Sequence, residues 1–309
     1  MTIRGFPLVG LGTWQSSPGV VGSAVESALL NGYKHIDCAW IYGNQKEIGA
    51  VFEKLFAGSI KREDIFITSK IWNTFHSYDS AAGQVDTILE ELKLDYIDLL
   101  LIHWPMGYQE GGEVFPRVEG GDQVIASDVD YLDTWRALED AKAAGKVRNI
   151  GISNFNHKQI LRVIENSKEK PQVLQVEIHP YLQQKKLRQF CKEHGIEVTA
   201  YSSLGNPGSA LFRKEGDPNI LVDPVVEKIA KAHNKSTAQV ALRWAVQQGI
   251  HVIPKSVTPE RIIQNSQLFD FTLTADEMAE MDSLDRNFRL VDLSVSSSTH
   301  EHYFLKEEF

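Results

Sequence analysis

The feature that most constrains the fold is a regular alternation of short apolar runs with longer segments of helical periodicity. The runs are rich in leucine and β-branched residues and hardly alternate with polar ones, which is typical of buried strands. The candidate strands lie at 8–11, His35–Asp37, 65–69, Ile97–Ile102, 149–152, 173–178, Glu197–Tyr201 and 251–253. Amphipathic stretches between them predict helices at Val21–Leu30, 45–55, 81–92, 132–144, 158–166, Lys185–His194 and 223–232.

This order of elements favours a barrel. Short apolar strands followed by helices indicate a parallel sheet, and eight successive βα units are the number at which such a sheet closes. We therefore predict a (β/α)8 TIM barrel that spans residues 1–309 as a single domain. The alternative is a doubly wound sheet, but the closest candidate for its GxGxxG turn, which begins at Gly10, lacks the third glycine.

Three segments exceed what a minimal barrel needs. Residues 103–129 and 202–222 follow the fourth and seventh strands, so we expect them to form lids from βα loops on the catalytic face. The tail after Arg286 could be disordered or could fold over the pocket, and the predicted fold places it over the catalytic face. A further helix is expected at 274–284, where TADE has the pattern of a capping box.

The composition indicates which classes of molecule the protein is expected to bind. Lysine and arginine total 32 against 41 acidic residues, a net charge of -9, so nothing in the overall charge predicts binding to nucleic acid or an anionic membrane. The only cysteines, Cys38 and Cys191, form neither a disulfide framework nor a metal-binding pattern. We expect a cytoplasmic, monomeric protein that acts on a small molecule, without a bound metal, a signal peptide or a membrane span.

Polar and aromatic residues are concentrated at the ends of the predicted strands. In a barrel of this type these ends line one shared pocket. The residues are Thr13, Trp14, Asp37, Tyr42, Lys70, Trp72, His103, Trp104, Ser153, Asn154, Gln175, Glu177, His179, Tyr201, Ser202, Lys255 and Ser256. A histidine after an apolar strand is more often structural than catalytic, and the tryptophans could belong to the core.

Lys70 is difficult to explain as a structural residue. It follows an apolar strand, where burial of the ammonium group needs a charged partner, and Asp37 on the adjacent strand is the obvious one. Such a pair gains about 4 kcal/mol of Coulomb energy at an effective dielectric of about 20, before desolvation is subtracted. We further expect the ammonium group to lower the pKa of the Tyr42 phenol, which would become a usable proton donor.

A phosphate site is suggested by the segment IPKSVTPERIIQN. Lys255, Ser256 and Arg261 cluster at the end of the last strand and the start of the next helix, where cations and a helix N-terminus can hold a phosphate. Ordinary surface cations remain the alternative. Tyr201 offers a flat face for stacking a ring, although a core role is equally possible.

Several long stretches resemble one family, the aldo-keto reductases. They are GLGTW, GYKHIDCAWIYGNQKEIG, ITSKIW, LLLIHWP, GISNF, LQVEIHPYLQQ, AYSSLG and IPKSVTPERIIQN, and together they span nearly the whole chain. The EEF ending is similar to the aldose and aldehyde reductase branch. Gln45, Ser203 and Gln264 differ from the residues usual in these motifs.

The resemblance implies an NADPH-dependent reduction of aldehydes or ketones on a (β/α)8 barrel. Tyr42 would protonate the carbonyl oxygen, Lys70 and Asp37 would tune it, and His103 would orient the substrate. The residues implied for NADP(H) binding are Thr13, Trp14, Ser153, Asn154, Gln175, Tyr201, Ser202, Leu204, Lys255, Ser256, Arg261 and Asn265. The residues implied for the substrate pocket are Trp14, Trp72, Trp104 and Phe115. A cofactor-binding regulatory or structural barrel and an NADH-using or dual-specificity sugar reductase are the alternatives.

Overall fold

The strands form one parallel sheet. The computed structural model describes residues 3–209 and 211–306. Within them the strands are β1 (Leu11–Gly12), β2 (His35–Asp37), β3 (Phe66–Ile71), β4 (Ile97–Ile102), β5 (Val147–Ser153), β6 (Val173–Glu177), β7 (Glu197–Tyr201) and β8 (His251–Val252). Neighbouring strands pair in chain order. Parallel bridges of Val9 with Val252 and of Gly12 with Lys255 join the first strand region to the last. The predicted (β/α)8 barrel is therefore confirmed.

Helices surround the sheet. In the described part of the chain they are α1 (Val21–Leu30), α2 (Gln45–Phe56), α3 (Tyr78–Leu92), α4 (Tyr131–Ala143), α5 (His157–Asn166), α6 (Lys185–His194), α7 (Pro224–His233), α8 (Thr237–Gln247), α9 (Pro259–Ser266), α10 (Ala275–Asp282) and α11 (Ser294–Ser297). The capping box predicted at Thr274 and Glu277 is confirmed. No helix among the described residues is both long enough and apolar enough to cross a membrane.

One barrel helix, α8, is missing from the predicted series. Its sequence TAQVALRWAVQ is buried on most of its surface, including Leu242 and Trp244. Its amphipathic stripe is as pronounced as that of α3, which was predicted, so a weak periodic pattern does not explain the omission. Its start is also encoded locally, because Ser236 and Gln239 form a reciprocal capping box.

The first strand is shorter and later than predicted. Regular pairing with β2 begins at Leu11, opposite Ile36, whereas Val9 bridges only to β8. Gly10 lies so close to its neighbour that an added Cβ would be 2.4 Å from His35 Nδ1. The glycines in this segment therefore allow the first strand to approach both adjacent strands closely.

The core has two layers, because the strands are buried on both faces. Leu100 and Ile102 of β4 belong to the large apolar cluster between the sheet and the helices. Leu99 and Leu101 of the same strand belong to a smaller cluster with Phe66. This double burial explains why the strand sequences are continuously apolar and leaves the strand ends as the place for polar groups.

The loop after β4 folds back on itself over the carboxyl ends of the strands. Antiparallel bridges join Tyr108 to Ala126 and Arg117 to Val124. The loop after β7 is held by Arg213, whose guanidinium donates to the carbonyl oxygen of Gly205 at 2.7 Å. Both predicted extended loops therefore have defined folds within the described residues.

The C-terminal tail packs on the first of these loops. The backbone N–H of Val124 donates to the carbonyl oxygen of Ser296 at 2.8 Å, and His300 Nε2 lies 2.8 Å from the carbonyl oxygen of Gly107. Of the two possibilities left open for the tail, a folded cover over the catalytic face is the correct one. The EEF ending at 307–309 lies outside the described residues.

Candidate active site

A buried ion pair lies at the carboxyl ends of β2 and β3. Lys70 Nζ donates to Asp37 Oδ1 at 2.6 Å and to the carbonyl oxygen of Cys38 at 2.8 Å. The two side chains are 0% and 2% exposed. The predicted partnership of Lys70 and Asp37 is confirmed, and it supplies the opposite charge that a buried ammonium group requires.

The carboxylate of Asp37 is also held from the opposite side of the barrel. Gln175 Nε2 on β6 donates to Asp37 Oδ2 at 2.8 Å, so both carboxylate oxygens have a donor. Thr13 Oγ1 donates to the backbone carbonyl of Asp37 at 2.8 Å, and Asn44 Nδ2 donates to the carbonyl of Thr13 at 2.9 Å. The position of Asp37 is thereby determined by elements from four parts of the chain.

Tyr42 and His103 lie next to this pair. Tyr42 ends a short 3-10 turn, Trp40–Tyr42, between β2 and α2, and Gly43 follows in the left-handed region with φ of 66°. Lys70 Nζ lies 5.2 Å from the centroid of the Tyr42 ring. The Tyr42 and His103 rings are 6.0 Å apart and nearly perpendicular. The structure therefore brings together Asp37, Tyr42, Lys70 and His103.

The prediction that Lys70 lowers the pKa of the Tyr42 phenol was wrong. Burial raises the pKa of the Tyr42 phenol well above its ordinary value, and the Asp37 carboxylate raises it further. The Lys70 ammonium does not reverse this rise, because Asp37 and a backbone carbonyl already accept its hydrogen bonds and partly neutralise its field. Tyr42 is therefore a neutral phenol at pH 7.

His103 is neutral as well. Burial lowers the pKa of its imidazole well below 6.5, and the nearby Lys70 ammonium lowers it further. Nδ1 of His103 is buried and has no hydrogen-bond partner among the described residues. A neutral imidazole carries one donor and one acceptor nitrogen, so His103 can either donate to or accept from a bound group.

Aromatic side chains surround these polar groups. The Trp72 ring lies 5.3 Å from His103 and 5.1 Å from Phe115, which is 44% exposed. Trp104 lies 5.1 Å from Phe304 of the tail. Three of the four residues predicted for the substrate pocket, Trp72, Trp104 and Phe115, therefore form one wall with the tail.

The fourth, Trp14, lies in a separate aromatic contact. Its ring is 5.6 Å from that of Phe212, in the loop after β7. Trp14 is partly exposed, as are Ser202 and Leu204 at the start of that loop. Trp14 thus connects the first βα loop to the seventh across the mouth of the barrel.

The polar residues predicted at the ends of β5, β6 and β7 form a hydrogen-bonded group. Tyr201 Oη donates to Asn154 Oδ1 at 2.7 Å, and Asn154 Nδ2 donates to the carbonyl of His103 at 3.0 Å. Ser153 Oγ donates to the carbonyl of Gln175 at 2.8 Å. Asn154 adopts a positive φ of 62°, which asparagine tolerates better than most residues. Gln175 links this group to Asp37, because its backbone carbonyl accepts from Ser153 and its side chain donates to the Asp37 carboxylate.

The three residues of the predicted phosphate site lie together after β8, with Asn265, the fourth residue implied for cofactor binding in this segment. Lys255 is exposed and Ser256 partly so; Arg261 is exposed on the first turns of α9, and Asn265 is buried near its end. Lys255 Nζ donates to the carbonyl of Gln15 at 3.0 Å. Arg261 makes no side-chain hydrogen bond or ion pair with any described residue. Its guanidinium is therefore available to an anion.

Comparison with known proteins shows to which family the chain belongs. A sequence model of the Aldo/keto reductase family matches residues 8–286.

The chain belongs to the aldo/keto reductase family.

Its similarity to individual relatives extends over most of the chain. Aldo-keto reductase family 1 member A1 from Sus scrofa is 47% identical over 92% of this chain and 88% of its own length. The Homo sapiens protein of the same name is 45% identical over 92% and 88%. The solved aldose reductase from Schistosoma japonicum superposes with a TM-score of 0.91 at 43% identity, covering 98% of this chain and 96% of its own. The protein is accordingly an NAD(P)H-dependent oxidoreductase that acts on carbonyl compounds.

Some residues around the site of this reductase were not predicted. The tail residues His300 and Phe304 contribute to the cover of the pocket, but no local pattern marks them. Glu177 was noted only as a polar strand end, although both of its oxygens accept tail amides. Gln45 accepts from Ser69 Oγ at 2.6 Å, so this departure from the usual motif is accommodated by a buried hydrogen bond.

Proposed function

We propose that this aldo/keto reductase uses NADPH to reduce aldehydes and ketones to alcohols, with Tyr42 as the proton donor. The observation that carries the proposal is the neutral Tyr42 phenol placed between the buried Asp37–Lys70 pair and the neutral His103. Aromatic side chains lie next to these groups, with Trp72 packed against His103, and would remove a bound carbonyl compound from water.

The chemistry of the strand ends fits a nicotinamide cofactor. Tyr201 offers an aromatic face for the nicotinamide ring, and Ser153, Asn154 and Gln175 have the donors and acceptors that a carboxamide needs. Thr13, Trp14, Ser202 and Leu204 would lie along the rest of the cofactor. When bound, the nicotinamide supplies a hydride from C4 to the carbonyl carbon.

Tyr42 then supplies the proton. Because its pKa is raised, the phenol keeps its proton at neutral pH and can donate a hydrogen bond to the carbonyl oxygen. That oxygen becomes an alkoxide as the carbon gains the hydride, and the alkoxide takes the phenolic proton. The Lys70 ammonium beside the ring stabilises the resulting phenolate, and His103 holds the substrate oxygen in place.

The preference for NADPH is inferred from the site after β8. Lys255, Ser256 and the unpaired Arg261 place two cations and a hydroxyl at the start of α9, as a 2'-phosphate would require. Asn265 would contact the adenine. We also propose that the protein is cytoplasmic, which its two unpaired cysteines favour, and that it is a monomer.

The proposal is tested by product analysis. NADPH and a reactive aromatic aldehyde are mixed with the protein, and loss of NADPH is compared with formation of the alcohol. One alcohol per NADPH oxidised is the expected result. Tight NADPH binding without turnover of any sugar, aliphatic or aromatic aldehyde, steroid or prostaglandin would instead identify a cofactor-binding protein that has lost catalysis.

A further inference from the structure

The carboxylate of Glu177 holds the start of the C-terminal tail. Glu177 Oε1 accepts from the backbone N–H of Leu290 at 2.9 Å, and Oε2 accepts from that of Val291 at 2.8 Å. His179 Nε2 lies 2.9 Å from Oε1. The side chains of Glu177 and His179 are both fully buried. One carboxylate therefore satisfies two neighbouring amides that cannot be reached by water.

Burying such a carboxylate costs desolvation free energy. Among the described residues, no lysine or arginine forms an ion pair with Glu177. Hydrogen bonds from two amides and an imidazole replace the lost hydration, and a carboxylate is the only side chain that offers acceptors on both oxygens at once. An apolar residue would avoid the desolvation cost but would leave two buried N–H groups without acceptors.

Glu177 also belongs to the cofactor side of the site. It ends β6 two residues after Gln175, so both side chains project from the same face of the strand. In the sheet it is paired with Tyr201 of β7. Its proximity contributes to the raised pKa of the Tyr201 phenol, although burial is the larger cause.

The amides that Glu177 holds lead into the substrate wall. Leu290 and Val291 pack in one cluster with Trp72, Trp104 and Phe304. The tail thus reaches the aromatic pocket immediately after it leaves Glu177. A shift of this point of attachment would move the wall relative to Tyr201, which lies on the neighbouring strand.

We propose that Glu177 is a positioning residue for substrate specificity, which fixes the tail wall of the pocket relative to the cofactor platform at Tyr201 and Gln175. This inference rests on the proposed carbonyl reduction at that site. Glu177 itself would contact neither substrate nor cofactor, because both of its oxygens already accept the tail amides. Its effect should therefore depend on how far a substrate reaches toward the tail.

The test compares two isosteric variants. Glu177→Gln keeps the volume of the side chain. However, it places an NH2 group opposite one of the two tail N–H groups, which then has no acceptor. Glu139→Gln is the matched control, because Glu139 Oε1 accepts from the adjacent backbone amides of Lys168 and Glu169, both at 2.7 Å, in the outer helical layer. Both variants replace a buried carboxylate that holds two adjacent backbone amides. In Glu139→Gln the remaining oxygen can still accept from both amides, whereas in Glu177→Gln one of the two tail amides loses its acceptor.

Two measurements are made on each variant of the 309-residue protein. Hydrogen exchange of the peptide that contains Leu290 and Val291 should accelerate about tenfold or more in Glu177→Gln and stay unchanged in Glu139→Gln. The kcat/KM for a bulky aromatic ketone, divided by that for a small aldehyde, should fall about tenfold in Glu177→Gln only, mainly through a higher KM for the ketone.

Each outcome decides a separate point. Unchanged exchange at Leu290 and Val291, or faster exchange with an unchanged specificity ratio, would overturn the role proposed for Glu177. An equal loss with both substrates would assign Glu177 a structural role only, and would also overturn it. If the wild-type protein reduced neither substrate, the proposed function would fail, and the exchange result alone would decide whether Glu177 anchors the tail.

Discussion

Lys70 Nζ lies 2.6 Å from Asp37 Oδ1, and both side chains are buried at the carboxyl ends of β3 and β2. Each charge is the main compensation for burying the other. Their hydrogen bond also links the adjacent strands β2 and β3, and it lies next to the face of the Tyr42 ring. The pair is therefore as important for stability as for the electrostatics of the phenol.

Replacing Lys70 by methionine should destabilise the protein. The substitution keeps the length of the side chain but leaves the Asp37 carboxylate buried without its cation, which typically costs about 3–5 kcal/mol. Urea unfolding at pH 7 measures the free energy of unfolding. In the double variant Lys70→Met with Asp37→Asn, part of that loss should be recovered; no loss in the single variant would show that the pair is not needed for stability.

Arg261→Ala should weaken NADPH binding much more than NADH binding. Only NADPH carries the 2'-phosphate that this unpaired guanidinium would contact, so its Kd should rise by about tenfold or more, as expected for loss of a charge-assisted hydrogen bond. Fluorescence titration with both cofactors gives the two constants. Arg136→Ala, on the exposed face of α4, serves as the control. An equal effect on NADPH and NADH would exclude phosphate recognition by Arg261.

Stability should fall as the pH is lowered from 7 toward 5. Burial lowers the pKa of both His35 and His76 from 6.5 to about 3, so between these values the unfolded chain binds protons that the folded protein does not. Stability therefore rises with pH across this window, and each histidine should cost about 2 kcal/mol at pH 5. Urea unfolding at constant ionic strength tests this. His76→Gln should have the shallower pH dependence, and identical slopes would contradict the assignment.

The barrel and the group of four polar residues were predictable because both depend on short-range patterns. Apolar runs locate the strands, and the topology then brings the residues after them to one end. Asp37 and Lys70 could be paired from sequence because they follow adjacent strands and each needs the other. The pocket role of Trp72 and Trp104 was implied by the family resemblance, because their positions after strands left a core role equally open.

Features that depend on packing were not predictable. The path of the tail is determined by contacts between distant residues, such as His300 with the carbonyl of Gly107. The direction of the Tyr42 pKa depends on how deeply the ring is surrounded, and a charge-based argument predicted the opposite sign. Helix α8 is a different case, because its apolar stripe and its capping box are local patterns: it was predictable from the sequence but was not predicted.

The central claim is that Tyr42 donates the proton, and Tyr42→Phe tests it most directly. This substitution removes only the hydroxyl, and loss of a positioned general acid typically costs a factor of about 10²–10⁴. NADPH oxidation with a reactive aromatic aldehyde is measured, together with NADPH binding and with Tyr78→Phe, a change at an exposed tyrosine, as the control. We predict a fall in kcat of at least about a hundredfold with NADPH binding retained; a rate near that of the wild type would contradict the mechanism.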